Sequence, residues 1–167
     1  MGAGKTTLGK ELAAHFKFKF IDIDSEIETL TGKSITQLFE QDGEAFFRLK
    51  EQEVLHSLNK KINSIVATGG GAPLYMDNMH WMNKNGLTVY LKLHRGILFH
   101  RLLPEKMLRP LVSQMDDVAL MQFIMEKLPE RQLFYNQSKI ILNADKKSTK
   151  ELILEIKKNQ LFNEERI

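Results

Sequence analysis

The chain has 167 residues, of which 43% are hydrophobic and 27% are charged, and its formal net charge is +3. This length suits one domain with its own core. The 24 basic and 21 acidic residues are too balanced to indicate a nucleic-acid or membrane partner. The absence of cysteine excludes disulfides and thiolate metal sites, and it fits the reducing cytoplasm in which we expect the protein. No apolar run reaches the roughly 18 residues of a membrane-spanning helix.

The first residues, Met-Gly-Ala-Gly-Lys-Thr-Thr, contain the end of a phosphate-binding P-loop, G-x-x-x-x-G-K-S/T. Glycines such as Gly4 let backbone N–H groups approach phosphate oxygens. Lys5 would reach the β- and γ-phosphates, and the hydroxyl of Thr6 is a hard oxygen ligand for Mg²⁺. A helix predicted over 8–16 would point its positive N-terminus at the phosphates. The alternative is a glycine-rich N-terminal tail.

The first glycine of the motif, and the apolar strand that normally leads into it, do not occur in this sequence. We therefore expect that Met1 is an internal methionine of the loop and not the native first residue. The missing strand and loop would occupy roughly 8–10 preceding residues.

A short buried strand is predicted over 18–23, and it leads to Asp22 and Asp24. Their side chains would leave the same face of an extended chain. Beside a P-loop, carboxylates are needed for Mg²⁺ and for a hydroxyl nucleophile. The alternative is that both are turn or cap residues, because a capping box at Ser25 would open a helix that ends at Gly32.

Two helices are predicted next, over 34–43 and 44–59. In the second, Arg48 has a glutamate four residues before it and another three residues after it, Glu44 and Glu51. One interpretation is a solvated ladder of ion pairs. The other is an arginine that carboxylates hold in place so that it can bind an anionic ligand.

A strand predicted over 64–68 is followed by Gly69, Gly70 and Gly71. Three glycines at the carboxyl end of a strand would let a ligand lie directly on the backbone, and ligands of open α/β sheets bind at such ends. The alternative is a tight turn from strand to helix.

The rest of the chain alternates helices and strands. Helices are predicted over 75–85, 96–103, 116–138 and after a cap at Ser148, and strands over 87–93 and 139–143. The segment 104–114, which carries Arg109, is predicted to be a charged loop. This alternation is typical of an α/β fold with a parallel sheet. The five histidines show no metal-ligand spacing.

Six motifs together resemble the shikimate kinase family. They are GAGKTT at 2–7, FIDID at 20–24, FEQDGEAFFR at 39–48, TGGGAP at 68–73, RPL at 109–111 and ERQLFY at 130–135. The resemblance implies a nucleoside-monophosphate-kinase-like fold, a three-layer αβα architecture with a parallel sheet in the order 2-3-1-4-5. The strand missing from this sequence would be the first, which is central in that order. The resemblance also implies a single P-loop kinase domain over 1–167, with a substrate-binding segment over 25–59 and a lid over 102–115.

The family's activity would be transfer of the γ-phosphate of ATP to the 3-hydroxyl of shikimate, in chorismate and aromatic amino acid biosynthesis, with Mg²⁺ as cofactor. The resemblance assigns catalysis to Lys5, Asp24 and Arg109 and Mg²⁺ binding to Thr6 and Asp22. It assigns ATP binding to Gly2, Ala3, Gly4, Lys5, Thr6, Thr7, Arg101 and Arg109. It assigns shikimate binding to Asp24, Phe39, Phe47, Arg48, Gly69, Gly70, Gly71 and Arg131. We expect a monomer whose partners are these small molecules.

Two alternatives remain at this point. Another small-molecule kinase with a P-loop, of the gluconate or nucleoside-monophosphate type, would share the fold but would not explain Arg48 and Arg131 alongside three glycines. A nucleotide-binding module without catalysis would need none of the acceptor-binding residues. Measuring ADP release with a panel of acceptors distinguishes them.

Overall fold

The computed structural model describes residues 2–58 and 63–159. In that part of the chain the strands are β1 (Lys19–Asp22), β2 (Ser64–Ala67), β3 (Val89–Lys92) and β4 (Ile140–Asn143). The helices are α1 (Lys5–Phe16), α2 (Ile23–Thr31), α3 (Ile35–Gln41), α4 (Gly43–Ser57), α5 (Asn78–Asn85), α6 (Arg95–Leu102), α7 (Asp117–Tyr135) and α8 (Thr149–Lys158). Short 3₁₀ segments occur at Ala72–Leu74 and Leu103–Leu108.

The described strands pair in parallel, as the sequence predicts. β1 pairs with β2, which sets Phe20 opposite Ile65, and β3 pairs with β4, which sets Leu91 opposite Leu142. Among the described residues no strand hydrogen bond joins one pair to the other. These are the two outer pairs of the predicted order, in which the central strand lies between them.

Helices cover both faces of the first pair because successive strand residues point to opposite sides. Ile21 and Val66 face a core cluster that contains residues of α2, α3 and α4. Ile65 faces the other cluster, which includes α1 and α8. On that side the ring of Phe20 lies directly over Gly9 of α1, where a Cβ atom would overlap it.

The second pair is covered in the same way. Leu91 and Leu142 pack into the cluster formed with α1 and α8. Tyr90 contacts Tyr135 of α7, with ring centroids 5.0 Å apart. The αβα layering thus agrees with the predicted fold class, and it places the N-terminus of α1 beside the carboxyl ends of the strands.

The prediction for Asp24 is wrong, because this residue does not lie on an extended strand. Helix α2 begins at Ile23, and Asp22 is its N-cap, with a carboxylate that accepts a hydrogen bond from the Asp24 N–H at 3.2 Å. Asp22 has extended backbone angles and satisfies a free helix N–H, so the helix starts before the predicted cap at Ser25. The alternative, in which Asp22 is a cap residue, is therefore correct for its structural role. The predicted end at Gly32 is confirmed.

Other boundaries follow the local chemistry closely. Capping boxes at Ser34 and Ser148 are confirmed. The helix predicted over 75–85 begins later, at Asn78, because a 3₁₀ turn containing Pro73 precedes it. Helix α7 continues through Pro129. Because proline has no N–H, the carbonyl of Met125, four residues earlier, lacks its helical donor, and Met125 is exposed.

Further boundaries also differ from the predictions, among them the start of α1 at Lys5 and the end of α7 at Tyr135. The segment predicted as a loop over 104–114 starts with 3₁₀ structure. The helix predicted over 34–43 ends at Gln41, and the one predicted over 44–59 spans Gly43–Ser57, with residue 59 outside the described residues. No helix in the described ranges is long and apolar enough to cross a membrane.

Candidate active site

The N-terminus of α1 has the geometry of a phosphate cradle. Gly4 is the N-cap, with φ 83°, and Gly2 has φ 59°, both in the left-handed region that favours glycine. A Cβ atom on Gly2 would also lie 3.1 Å from Cγ of Leu102. The first N–H groups of α1 have no helical acceptor and are therefore available to an anion.

One large cleft, with a volume of about 620 Å³, opens in front of this helix end. It collects all of the predicted ATP-binding, catalytic and Mg²⁺-binding residues, together with two of the predicted shikimate-binding glycines. These are Gly2, Ala3, Gly4, Lys5, Thr6, Thr7, Asp22, Asp24, Gly69, Gly70, Arg101 and Arg109. The cleft is also lined by Glu105, Lys147 and Thr149, which the sequence analysis did not assign to the site.

Thr6 and Asp22, the predicted Mg²⁺ ligands, are joined by a hydrogen bond. The hydroxyl of Thr6 donates to Oδ2 of Asp22 at 3.0 Å. Hydroxyl and carboxylate oxygens are the donors that Mg²⁺ prefers, usually alongside water and substrate phosphates. Within the described residues no group of three or more histidine, aspartate or glutamate side chains could hold a metal.

Charges of both signs surround Lys5 in the cleft. Burial lowers the pKa of Lys5, and the positive charge of Arg109 lowers it further. The carboxylates of Asp24 and Asp22 oppose this shift. Lys5 and Arg109 line the same cleft as Asp22 and Asp24, whose carboxylates balance part of their charge.

Asp24 combines a raised pKa with a free oxygen. Burial raises the pKa of Asp24, the charge of Asp22 raises it further, and Lys5 and Arg48 oppose the shift. Its Oδ1 atom is buried and has no hydrogen-bond partner. A carboxylate in this state can accept a hydrogen bond, and then a proton, from a ligand hydroxyl.

Arg48 is held by two carboxylates of its own helix. Its Nη1 donates to Glu51 at 2.6 Å, and its Nε and Nη2 donate to Glu44 at 3.2 and 3.0 Å. Glu51 is fully buried, and one of its oxygens has no partner. The interpretation as a solvated ladder is thus wrong for Glu51, whose burial raises its pKa despite the opposing charge of Arg48.

Glu51 and Arg48 also explain two of the three consecutive glycines. A Cβ atom on Gly69 would overlap the free oxygen of Glu51, and one on Gly71 would overlap the guanidinium of Arg48. Neither glycine has a positive φ, so the turn alone does not require glycine at these positions. Glycine is needed at these two positions because the charged side chains of Glu51 and Arg48 lie against the backbone there.

The remaining predicted acceptor residues do not line the large cleft. Arg131 is buried and lines a smaller cavity of about 40 Å³ together with Ala3 and Tyr135. Phe39 and Phe47 pack on each other, with ring centroids 4.8 Å apart.

The structure therefore brings the nucleotide half of the predicted site together in one cleft. Arg48, Gly71, Arg131, Phe39 and Phe47 lie outside the residues that line it. Besides the unassigned residues that line the cleft, sequence reasoning also did not assign Glu51 and Tyr135, which contact predicted acceptor residues. The signals that could have found them were the spacing of Glu51 from Arg48 and the place of Tyr135 in the ERQLFY motif.

Comparisons with known proteins agree with this geometry. The family model described as shikimate kinase matches residues 1–160. The shikimate kinase of Bacteroides thetaiotaomicron is 46% identical over 145 residues, which cover 87% of this chain and 83% of that protein. The shikimate kinase of Phocaeicola vulgatus is 43% identical over 153 residues, which cover 92% of this chain and 87% of that protein.

Solved structures of shikimate kinases also match this chain. The crystal structure of the shikimate kinase from Bacteroides thetaiotaomicron matches with a TM-score of 0.86 and 40% identity, covering 94% of this chain and 92% of that one. The shikimate kinase from Acinetobacter baumannii in complex with shikimate matches with a TM-score of 0.85 and 29% identity, covering 100% of this chain and 90% of that one. These matches confirm both the predicted fold class and the resemblance on which it was based. The chain belongs to the shikimate kinase family.

Proposed function

We propose that the chain transfers the γ-phosphate of ATP to the 3-hydroxyl of shikimate, giving shikimate 3-phosphate and ADP for chorismate and aromatic amino acid biosynthesis. The observation that carries this proposal is the arrangement around Asp24. Its free buried oxygen belongs to the phosphate cleft, and its pKa responds to the charges of both Lys5 and Arg48. One carboxylate of the phosphate cleft thus interacts with the charges of a phosphate-binding group and of a group suited to an organic acid.

The phosphate side of the reaction depends on positioning and charge neutralisation. The N–H groups at the start of α1 and the ammonium of Lys5 would hold the β- and γ-phosphates. The oxygen donors of Thr6 and Asp22 fit Mg²⁺, which would neutralise charge on those phosphates when bound. Arg101 donates to the carbonyl of Ala3 at 3.4 Å and so borders the same loop.

The acceptor side supplies binding and proton removal. Arg48 and Arg131 offer forked donors for the carboxylate of shikimate. Asp24 accepts the proton of the 3-hydroxyl as that oxygen bonds to the γ-phosphorus. The bond from the γ-phosphorus to the β–γ bridging oxygen breaks, and its electron pair leaves with ADP.

Water must be kept from the γ-phosphate, because it would otherwise compete with shikimate as acceptor. The segment 102–115 carries Arg109 and Glu105 into the cleft lining. Nη2 of Arg109 donates to Glu105 at 2.7 Å, while its Nε is buried without a partner. We propose that this segment closes over bound ATP and that Arg109 then exchanges Glu105 for phosphate oxygens.

The test is a coupled assay of ADP release from ATP and Mg²⁺ with a panel of acceptors: shikimate, gluconate, a set of nucleoside monophosphates, and no acceptor. The proposal predicts that ADP release depends on shikimate and stays near background in the other reactions. Equal release with gluconate or a nucleoside monophosphate would favour a different small-molecule kinase. Nucleotide binding without release for any acceptor would favour a module without catalysis.

A further inference from the structure

Tyr135 lies against two residues to which the family resemblance assigns shikimate binding, Gly70 and Arg131. It is the last residue of α7, and its hydroxyl donates to the carbonyl oxygen of Gly70 at 2.5 Å. Arg131 lies one helical turn earlier on the same face of α7, and it lines the same small cavity as Tyr135. The phenol of Tyr135 is thus bonded to Gly70 and lies beside Arg131.

The aromatic ring of Tyr135 has its own support. It packs against the ring of Tyr90 on β3, with centroids 5.0 Å apart and planes at 46°. The hydroxyl of Tyr90 has a different partner, since it accepts from Nε2 of Gln132 at 3.4 Å. Such a ring contact restrains the orientation of Tyr135, while leaving its hydroxyl as the atom that reaches the glycine loop.

The contacts of Tyr135 join parts of the fold that belong to different strand pairs. Gly70 follows β2, Tyr90 belongs to β3, and the described strands show no hydrogen bond between the β1–β2 and β3–β4 pairs. The phenol of Tyr135 therefore links the loop after one pair to an aromatic residue of the other.

The chemistry of the hydroxyl suits this bridging role. A phenol can donate one hydrogen bond and accept another at the same time. Burial raises the pKa of Tyr135, although the charge of Arg131 opposes the shift. The hydroxyl consequently keeps its proton at neutral pH and remains a donor to Gly70.

We propose that Tyr135 is a positioning residue of the acceptor site, whose hydroxyl fixes the carbonyl of Gly70 relative to the guanidinium of Arg131. The proposal rests on the proposed function and on the assignment of Gly70 and Arg131 to shikimate binding, and Tyr135 acts only through these two residues. Its loss should weaken the binding of shikimate. It should leave the binding of ATP nearly unchanged, because the phosphate loop and Lys5 do not depend on this contact.

The experiment compares Tyr135→Phe with Tyr90→Phe. Each variant loses one hydroxyl from the same ring pair, but only the first loses a bond to Gly70. We expect Tyr135→Phe to raise KM for shikimate roughly tenfold, the equivalent of about 1.4 kcal/mol, with KM for ATP within about twofold of wild type. Tyr90→Phe should change neither constant by more than about twofold. Thermal unfolding of both variants checks that the fold is retained.

A double variant tests whether Tyr135 acts through Arg131. In an Arg131→Lys background the forked guanidinium is already absent, so Tyr135→Phe should raise KM for shikimate less than about threefold. The full tenfold effect in that background would overturn the proposal. So would equal effects of Tyr135→Phe on both substrates, a match between the two phenylalanine variants, or a Tyr135→Phe protein that is unfolded at assay temperature. A wild-type protein that does not phosphorylate shikimate would instead overturn the proposed function itself.

Discussion

Nη1 of Arg48 donates to the carboxylate of Glu51 at 2.6 Å, and Glu51 has no exposed surface. The edge of the guanidinium that carries Nε and Nη2 donates to Glu44, whose side chain is 53% exposed. An exposed pair of this kind contributes little, about 0–1 kcal/mol, whereas a buried partner is costly to remove. A ligand carboxylate could therefore replace Glu44 while Glu51 keeps the arginine in place.

This difference predicts unequal effects of two matched substitutions. Glu51→Gln removes the buried charge and should raise KM for shikimate roughly tenfold or more, since a hydrogen bond to a charged group contributes about 1.5–3 kcal/mol. Glu44→Gln should change it less than about twofold. Steady-state kinetics with saturating ATP measures both. Equal effects would mean that the two glutamates share the role of holding Arg48.

The lack of a side chain at Gly71 is predicted to be necessary for the present position of the Arg48 guanidinium. Gly71→Ala would place a methyl group on the guanidinium of Arg48 and push it from its present position. KM for shikimate should rise by about tenfold, while KM for ATP should not change. Gly86→Ala is the control, because a Cβ atom there would have no neighbour closer than 3.9 Å. Unchanged kinetics for Gly71→Ala would show that Arg48 can move without loss of binding.

Asp24→Asn should separate nucleotide binding from phosphoryl transfer. The amide keeps the shape but cannot take a proton, so kcat should fall by about 10²–10⁴-fold. Titration with ATP should give nearly the wild-type affinity. A variant with near-normal kcat would remove Asp24 from the catalytic role.

The same variant tests the raised pKa of Asp24 through stability. A raised pKa means that the folded state favours the protonated carboxyl. The stability that Asp24 contributes is then present below pH 3.8, its ordinary pKa, and is lost as pH rises through the raised pKa of the folded state. The wild type should therefore lose stability relative to Asp24→Asn over this range. Urea unfolding of both proteins from pH 4 to pH 7.5 measures the difference, and one that is constant with pH would contradict the raised pKa.

Arg109→Ala is expected to lower kcat more than it raises KM for ATP. Arg109 is engaged with Glu105 here and would meet the phosphates only after closure. An arginine that acts on the transition state can contribute about 10³–10⁵-fold, and we expect the lower end because Lys5 remains. Glu105→Gln is the companion variant, and it should not lower kcat. A defect of Arg109→Ala in ATP affinity alone would show that the arginine acts in binding rather than in transfer.

Local sequence rules predicted much of the fold because they act over a few residues. Both capping boxes, at Ser34 and Ser148, and the end of α2 at Gly32 are where the sequence places them. The same rules failed at Asp24, because Asp22 and not Ser25 caps the helix, by accepting a hydrogen bond from the Asp24 N–H.

The site was predictable in part for a different reason. The P-loop residues are contiguous, so their proximity follows from the motif alone. The buried contact of Glu51 with Gly69 and the bond from Tyr135 to Gly70 join distant parts of the chain. Helical spacing identifies Glu51 as a neighbour of Arg48 but cannot say that it is buried, since burial depends on what packs against α4.

The central claim, transfer to the 3-hydroxyl of shikimate, is tested most directly by nuclear magnetic resonance of the products. The protein is incubated with Mg²⁺, ATP and an equal amount of shikimate, and the reaction is followed by phosphorus and proton spectra. The account predicts ADP and a single phosphate ester whose phosphorus couples to the proton on carbon 3, with no free phosphate. ADP accompanied by free phosphate and unchanged shikimate, or an ester at another carbon, would contradict it.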